Sequence, residues 1–370
     1  MKSHKAHVFI VNDDTFPIHL KYLFAGTGAK DKDEDIHLLC DIKRVRPGDF
    51  IIFYIEGNTK VKGGFYGVFK VADQSPLVFH SPGRNGFQPK LSKKLIYRTL
   101  IEPYEVYSEG VPEWEALDKL PVYSTEIQWS LIYRKLKAKR GCTPLLPWEA
   151  ERLINMIRNK NSGNIIADSK YSGGFEWDST NRKIIKTQNC YSYSFPRNFN
   201  FNTLEKICQM KKQNRAYEAY LQLYFVENIG VDKNLNPIVG NNVIWFGNEV
   251  SCGVGMQKID ILTINENENK KEYRIIELKD ECITPNIVEQ IEYYVNWASQ
   301  NAGRHLLDAY NWNIQPVIVA PHHNPKNWNS VVAAFRRFNQ KNISLPILYF
   351  EFDIECDEDA KKISFSKLDY

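Results

Sequence analysis

Lys258-Ile-Asp-Ile-Leu-Thr-Ile264, the polar break Asn265-Glu-Asn-Glu-Asn-Lys-Lys271 and Tyr273-Arg-Ile-Ile-Glu-Leu-Lys279 decide the fold of the carboxyl-terminal half. Both apolar segments read as strands, and the break reads as the connection of an antiparallel hairpin. Closing the hairpin over residues 265–271 sets Asp260 nearly opposite Ile276 and Glu277. Side chains alternate faces along a strand, so Glu277 and Lys279 project together while Leu278 points into apolar packing. One face then carries two carboxylates and an ammonium.

That face suits phosphodiester hydrolysis. A hard divalent cation takes oxygen ligands, one or two carboxylates plus waters, and it polarises a phosphate and acidifies a bound water. Asp260 and Glu277 are the candidate ligands, with the Leu278 backbone carbonyl as a third oxygen. Lys279 would hold the attacking water or neutralise charge on the transition state. The plain alternative is an exposed strand pair that happens to carry Asp, Glu and Lys.

Two flanking segments weigh against that alternative. In Tyr217-Glu-Ala-Tyr-Leu-Gln-Leu-Tyr-Phe225, helical spacing puts Glu218 on the same face as Leu221, Gln222 and Phe225. A carboxylate on a core-facing stripe needs a partner. Thr284-Pro285 reads as a helix start, and Gln290, Tyr294 and Trp297 recur on one face of the helix that follows. Gln290 there is either a contact to phosphate or to the Lys279 neighbourhood, or a glutamine facing solvent.

Around the hairpin, the order is a helix over about 205–228, a strand, the hairpin, a helix over about 285–300, a strand at Gln315–Ala320, a helix over about 325–339 and a strand at Leu345–Phe352. This predicts a mixed sheet flanked by helices, an α+β or α/β class. The arrangement resembles the PD-(D/E)xK nuclease superfamily, the restriction-endonuclease-like fold, over about residues 206–350. The matching residues are Glu218, Asp260, the Ile-Glu-Leu-Lys279 run and Gln290-Ile-Glu-Tyr-Tyr294. The resemblance implies Mg²⁺, with Mn²⁺ able to substitute, held by Asp260 and Glu277, a water assisted by Lys279, and support from Glu218 and Gln290. It implies no organic cofactor. One departure is Gln257-Lys258-Ile259 in place of the proline often found before the Asp, and a degenerate, inactive copy of the fold is the competing reading.

The amino-terminal part predicts strands at His7–Val11, Asp49–Ile55 and around Gly64–Val71, then a helix opened by Pro147 whose apolar stripe is Leu153, Ile154 and Ile157. Tyr133-Arg-Lys-Leu-Lys-Ala-Lys-Arg140 places Arg134, Lys135, Lys137, Lys139 and Arg140 beside Tyr133 and close behind Trp129. Cations mixed with aromatics suit phosphate contact plus base stacking, although a charge run is usually a solvated face. Aromatics such as Tyr54 are candidates for a pocket, in a region where most aromatics must be core. Pro47-Gly-Asp-Phe-Ile-Ile-Phe-Tyr54, Gly64-Phe-Tyr-Gly-Val68 and Arg140-Gly-Cys-Thr-Pro144 through Pro147-Trp-Glu149 resemble the EVE and YTH group of PUA-like domains, small β-barrels with helices. That resemblance spans about residues 5–160 and implies a reader of a flipped base, methylated or not, with Trp129 the best candidate for its pocket. The expected organisation is a recognition domain over 1–160, a connecting segment over 161–205 with a short strand pair, and a nuclease domain over 206–370.

Composition agrees with this division. The 370 residues are 43% apolar and 25% charged, enough for two domains. Residues 1–160 hold 25 Lys and Arg against 19 Asp and Glu, whereas residues 206–370 carry a surplus of three acids, so the first part is the better polyanion partner. The longest apolar run, Phe50–Ile55, is far short of the ~20 residues of a membrane span, and Met1-Lys-Ser-His lacks a signal-peptide core. A cytoplasmic protein with no membrane partner is expected, its seven scattered cysteines reduced and structural. The functional expectation is a restriction-type endonuclease acting on double-stranded DNA, with a homodimer where both strands are cut. The competing expectations are a structure-specific DNA repair nuclease and, from another class, a reader of modified nucleic acid on an inactive nuclease scaffold.

Overall fold

Two large sheets organise the chain, one in each of two compact units, Met1–Asn200 and Phe201–Tyr370, in the computed structural model. The structure describes residues 5–28, 34–57, 62–81, 94–118, 141–252, 257–267, 270–302, 312–357 and 361–370.

In the first unit the strands are β1 (Ala6–Val11), β2 (Phe24–Thr27), β3 (Phe50–Ile55), β4 (Gly64–Val71), β5 (Val78–His80), β6 (Tyr97–Pro103), β7 (Glu105–Val106), β8 (Val111–Pro112) and β9 (Cys142–Leu145). The helices are α1 (Phe16–Tyr22), α2 (Ile36–Lys43), α3 (Glu113–Asp118) and α4 (Pro147–Lys160). The main sheet runs β2-β6-β4-β3-β1-β9, a curled sheet whose order does not close into the expected barrel among the described residues. Its centre is the parallel pair β1 and β3, in which all six positions of each strand are buried. Strands covered on both faces are apolar throughout rather than alternating. Helix α4 starts at Pro147 and is capped by Glu149, which accepts from the Leu146 N–H at 2.9 Å. Its Leu153, Ile154 and Ile157 join Val8, Ile52 and Phe65 in one core cluster, and burying each such side chain stabilises by roughly 1.5–3 kcal/mol.

Residues 161–200, most of the 161–205 segment expected as a connector with a short strand pair, fall within this first unit. They form β10 (Ala167–Asp168), which pairs with β7, and a hairpin of β11 (Gly174–Asp178) and β12 (Lys183–Thr187). Trp177 wedges the hairpin against Phe16 and Tyr66 at centroid distances of 5.1 and 5.0 Å, and its Nε1 donates to Asp13 at 3.3 Å.

The second unit carries β13 (Val243–Ser251), β14 (Lys258–Asn267), β15 (Lys270–Leu278), β16 (Trp312–Ala320), β17 (Leu348–Cys356) and β18 (Lys361–Leu368), in that spatial order. Pairing is antiparallel at both edges and parallel for β15-β16-β17, so the sheet is mixed. Its helices are α5 (Thr203–Lys212), α6 (Glu218–Asn228), the short α7 (Asn236–Val239), α8 (Ile287–Ala302) and α9 (Trp328–Asn339). Parallel neighbours need crossovers, and α8 and α9 supply them between β15 and β16 and between β16 and β17.

Three expectations change in this unit. The single helix over 205–228 is two helices, because Asn214 adopts a left-handed φ of 53° and ends α5. The hairpin pairs as far as Asn267 with Lys270, leaving a tighter connection than 265–271. Cys208 and Cys356, 148 residues apart, form a disulfide that ties α5 to the end of β17, so the cysteines are not all reduced. Among the described residues, no helix is long and apolar enough to cross a membrane.

Candidate metal-dependent active site

The β14–β15 ladder ends with Ile261 paired to Ile276, and its register continued by one step sets Asp260 opposite Glu277. Residues directly opposite in an antiparallel pair share a face. Leu278 is fully buried on the other face, while its N–H donates to the Asp260 carboxylate (Oδ2) at 2.9 Å. Lys279 continues the sheet through its N–H, which donates to the Val319 carbonyl at 2.9 Å, and its ammonium returns to the face of Glu277. There Nζ donates to Glu277 Oε1 at 2.6 Å and lies 3.5 Å from Glu218 Oε2.

The flanking helices complete the cluster. Glu218 opens α6, and one turn later Gln222 donates to the Asp260 backbone carbonyl at 3.1 Å. On α8 the apolar periodicity buries Tyr294 and Trp297 and points Gln290 inward, where its amide donates to Glu277 Oε1 at 2.7 Å and to the Tyr294 hydroxyl at 2.6 Å. The Tyr294 hydroxyl donates in turn to the Lys258 carbonyl at 2.6 Å, which fixes the amide. Gln290 is therefore a partner of Glu277 and not a solvent-facing glutamine. Helix α8 begins at Ile287, two residues after Pro285, with the Thr284 carbonyl accepting from the Ile287 N–H.

Glu277 is 1% exposed, yet its Oε2 has no hydrogen-bond partner. A buried, unsatisfied carboxylate oxygen is costly, and this one belongs to a carboxylate whose other oxygen already meets Lys279. Burial first, and then the Glu277 charge, hold the Asp260 carboxyl well above the usual carboxylate range against the pull of the Leu278 N–H. Burial also raises Glu277, with Lys279 and Gln290 opposing it, and raises Glu218, with Lys279 opposing. Lys279 is pushed down by burial but further up by Glu277, Asp260 and Glu218, so it stays an ammonium. Among the described residues no group of three or more His, Cys, Asp or Glu side chains is disposed to hold a metal ion. Asp260 and Glu277 fall short of a zinc donor set, and two carboxylates of this kind could serve a hard cation only if it kept several waters.

The amino-terminal candidates fare differently. Trp129, Tyr133, Arg134, Lys135, Lys137, Lys139 and Arg140 lie outside the described residues. Tyr54 is 3% exposed, packs on Phe65 with ring centroids 5.1 Å apart and donates its hydroxyl to Glu113 at 2.6 Å. It is thus a buried residue of β3 whose hydroxyl is engaged by Glu113.

Sequence reasoning missed a second polar cluster at the carboxyl end of β16. Both ring nitrogens of His322 meet carboxylates, Nδ1 with Glu351 at 2.8 Å and Nε2 with Asp353 at 3.0 Å, an arrangement that favours the doubly protonated ring. His323 adds its Nδ1 and its N–H to Glu351 Oε1 at 2.7 and 3.0 Å, and Cys282 donates to the His322 carbonyl. The Glu351 hydrogen bond, then Asp353, raise the His322 pKa. Burial would raise Glu351, but the two histidines outweigh it and the net shift is downward. A raised histidine stabilises the fold below its unfolded pKa, and this contribution disappears as pH rises through the folded value. A lowered carboxylate stabilises above its unfolded pKa, a contribution lost as pH falls through the folded value. His322→Ala should therefore lower the melting temperature most between about pH 5 and pH 6 and little above about pH 8. Melting curves of both proteins across that range check this, and a difference independent of pH would refute it.

No known family profile and no curated protein matches the sequence. Among solved structures, the chain is similar to a hypothetical protein from Leishmania major at 12% identity, over 42% of this chain and 96% of that one, with a TM-score of 0.30. It is similar to the human THYN1 protein, solved in complex with DNA containing 5-methylcytosine, at 8% identity over 41% and 96% of the two chains, with a TM-score of 0.30. Restriction endonuclease FokI follows at 13% identity and a TM-score of 0.22, over 62% of this chain and 44% of FokI. Likenesses this distant decide neither fold nor activity.

Proposed function

We propose that this chain is a Mg²⁺-dependent DNA endonuclease of the restriction type. The observation that carries the reading is the convergence of Asp260, Glu277, Lys279, Glu218 and Gln290 from two strands and two helices, with Glu277 Oε2 buried and unpartnered. Asp260 and Glu277 would hold the ion, with the Leu278 carbonyl as a third oxygen, and Mn²⁺ would substitute for Mg²⁺. When bound, the ion polarises the scissile phosphate and lowers the pKa of a water.

This chain's own groups would do the rest. The Leu278 N–H orients the Asp260 carboxylate, and Gln290, itself fixed by Tyr294, orients Glu277 from the far side. Lys279, kept charged by its carboxylates, would stabilise negative charge developing on the phosphate rather than take a proton from water. Glu218, facing that ammonium, would position it. The amino-terminal unit would select the site through a flipped base, methylated or not, with Trp129 and the basic run from Tyr133 to Arg140 as its contacts. Cutting both strands of a duplex needs two such sites, hence a homodimer on the DNA.

The test is incubation of methylated and unmethylated genomic DNA with the purified protein and Mg²⁺, followed by sequencing of the ends, with a branched duplex in parallel. Ends that share a sequence context and depend on methylation support the reading. Cleavage confined to the branched substrate would transfer the protein to the repair nucleases, and no cleavage of any substrate would leave only a reader.

A further inference from the structure

Helix α6 carries Glu218 at its first position, and its own capping residue, Tyr217, offers no side-chain hydrogen bond to the first turn. The cap comes from elsewhere in the chain. Asp280 Oδ2 accepts from the Tyr217 N–H at 2.5 Å and from the Glu218 N–H at 3.1 Å, across 63 and 62 residues of sequence. Two of the four orphan donors of a helix start are satisfied this way, and the negative charge complements the positive end of the helix dipole.

Asp280 is also the residue that follows Lys279, whose backbone is bonded to the central strand β16 through the Val319 carbonyl. One turn along α6, Gln222 reaches the backbone carbonyl of Asp260 on β14. The helix is thus tied at Glu218 to the end of β15 and at Gln222 to the start of β14, and both ties end next to residues of the acidic face. The Glu218 carboxylate and the Lys279 ammonium meet at 3.5 Å between them.

We infer that Asp280 is a positioning residue of the active site: by capping α6 it sets Glu218 against Lys279, and it takes no part in the chemistry. The inference rests on the nuclease reading for its kinetic consequence but not for its structural one. Capping needs an acceptor oxygen more than a charge, since Asn and Asp cap equally well. Asp280→Ala removes the acceptor, and Asp280→Asn keeps it.

The experiment measures amide hydrogen exchange at Tyr217 and Glu218, and single-turnover cleavage of duplex DNA with Mg²⁺, in the full chain and both variants. In Asp280→Ala both amides should exchange at least ~10-fold faster. Its cleavage step should slow roughly 10- to 100-fold with DNA affinity unchanged, the size of loss that a displaced site group produces. Asp280→Asn should return both readouts to within about threefold of the parent. Unchanged exchange and rate in the alanine variant would overturn the inference, as would an asparagine variant as impaired as alanine in both. Should the alanine variant not fold, asparagine alone decides: protected amides with a near-parental rate support the role, and exposed amides with that rate refute it. A parent protein that cuts no DNA would defeat the nuclease reading, while the exchange data would still judge the cap.

Discussion

Glu277→Gln is expected to reduce Mg²⁺-dependent cleavage by at least about 10³-fold while leaving DNA binding nearly intact. Glutamine keeps the shape and still fills the buried slot beside Gln290, so the fold should survive. It supplies no negative oxygen where Oε2 now lies buried without a partner, and it removes the closest counter-charge of Lys279. Two of the proposed functions, holding the ion and charging the lysine, therefore fail together. Single-turnover rates on a plasmid substrate give the rate, and a gel-shift titration without metal gives the affinity. A variant within tenfold of the parent rate would mean that Glu277 is only a structural acid.

The second large effect concerns stability and has the opposite sign to most core substitutions. Asp260→Asn should raise the melting temperature of the metal-free protein by a few degrees, on the scale of ~1 kcal/mol for ~2–4 °C. Asparagine keeps an oxygen for the Leu278 N–H and removes a half-buried charge that faces Glu277. The sign follows from linkage. A carboxyl whose folded pKa is raised binds its proton more tightly in the folded state, so stability falls as pH climbs from the ordinary carboxylate value through the raised one. The variant should lose that slope. It should also lose stabilisation by metal: a ligand at a hundredfold excess over its Kd adds about 2.7 kcal/mol to the parent protein, and Mg²⁺ should add almost nothing to Asp260→Asn. Melting curves in chelator and in Mg²⁺ separate the two effects. A variant that melts lower than its parent in chelator would show that Asp260 is a stabilising acid and not one held at a cost for function.

Much of this site is legible in the sequence because it is local. Alternation over Tyr273–Lys279 fixes which side chains share a face, and any tight connection near residues 265–271 brings Asp260 to Glu277. Helical spacing likewise joins Gln290 to Tyr294, and the inward direction of that face follows from its aromatics. What the sequence hides depends on contacts between distant segments. The cap of α6 by Asp280, the clasp of His322 by Glu351 and Asp353, and the Cys208–Cys356 bridge join residues that no period relates.

Errors of expectation have similar causes. The break between α5 and α6 hangs on one left-handed asparagine inside an otherwise helical pattern. Residues 161–200 look irregular because β10, β11 and β12 are two to five residues long and take their stability from Trp177 and its neighbours. Tyr54 is a pocket candidate in the sequence because aromatic strands bordering a pocket and aromatic strands crossing a core have the same composition. In the structure every position of β1 and of its parallel partner β3 is buried, Tyr54 included.

The most direct measurement of the central claim is nicking and linearisation of supercoiled plasmid by the purified chain in Mg²⁺, in chelator, and with Glu277→Gln in Mg²⁺. The account predicts product in the first reaction alone. Equal product in chelator, or equal product from the variant, would contradict it.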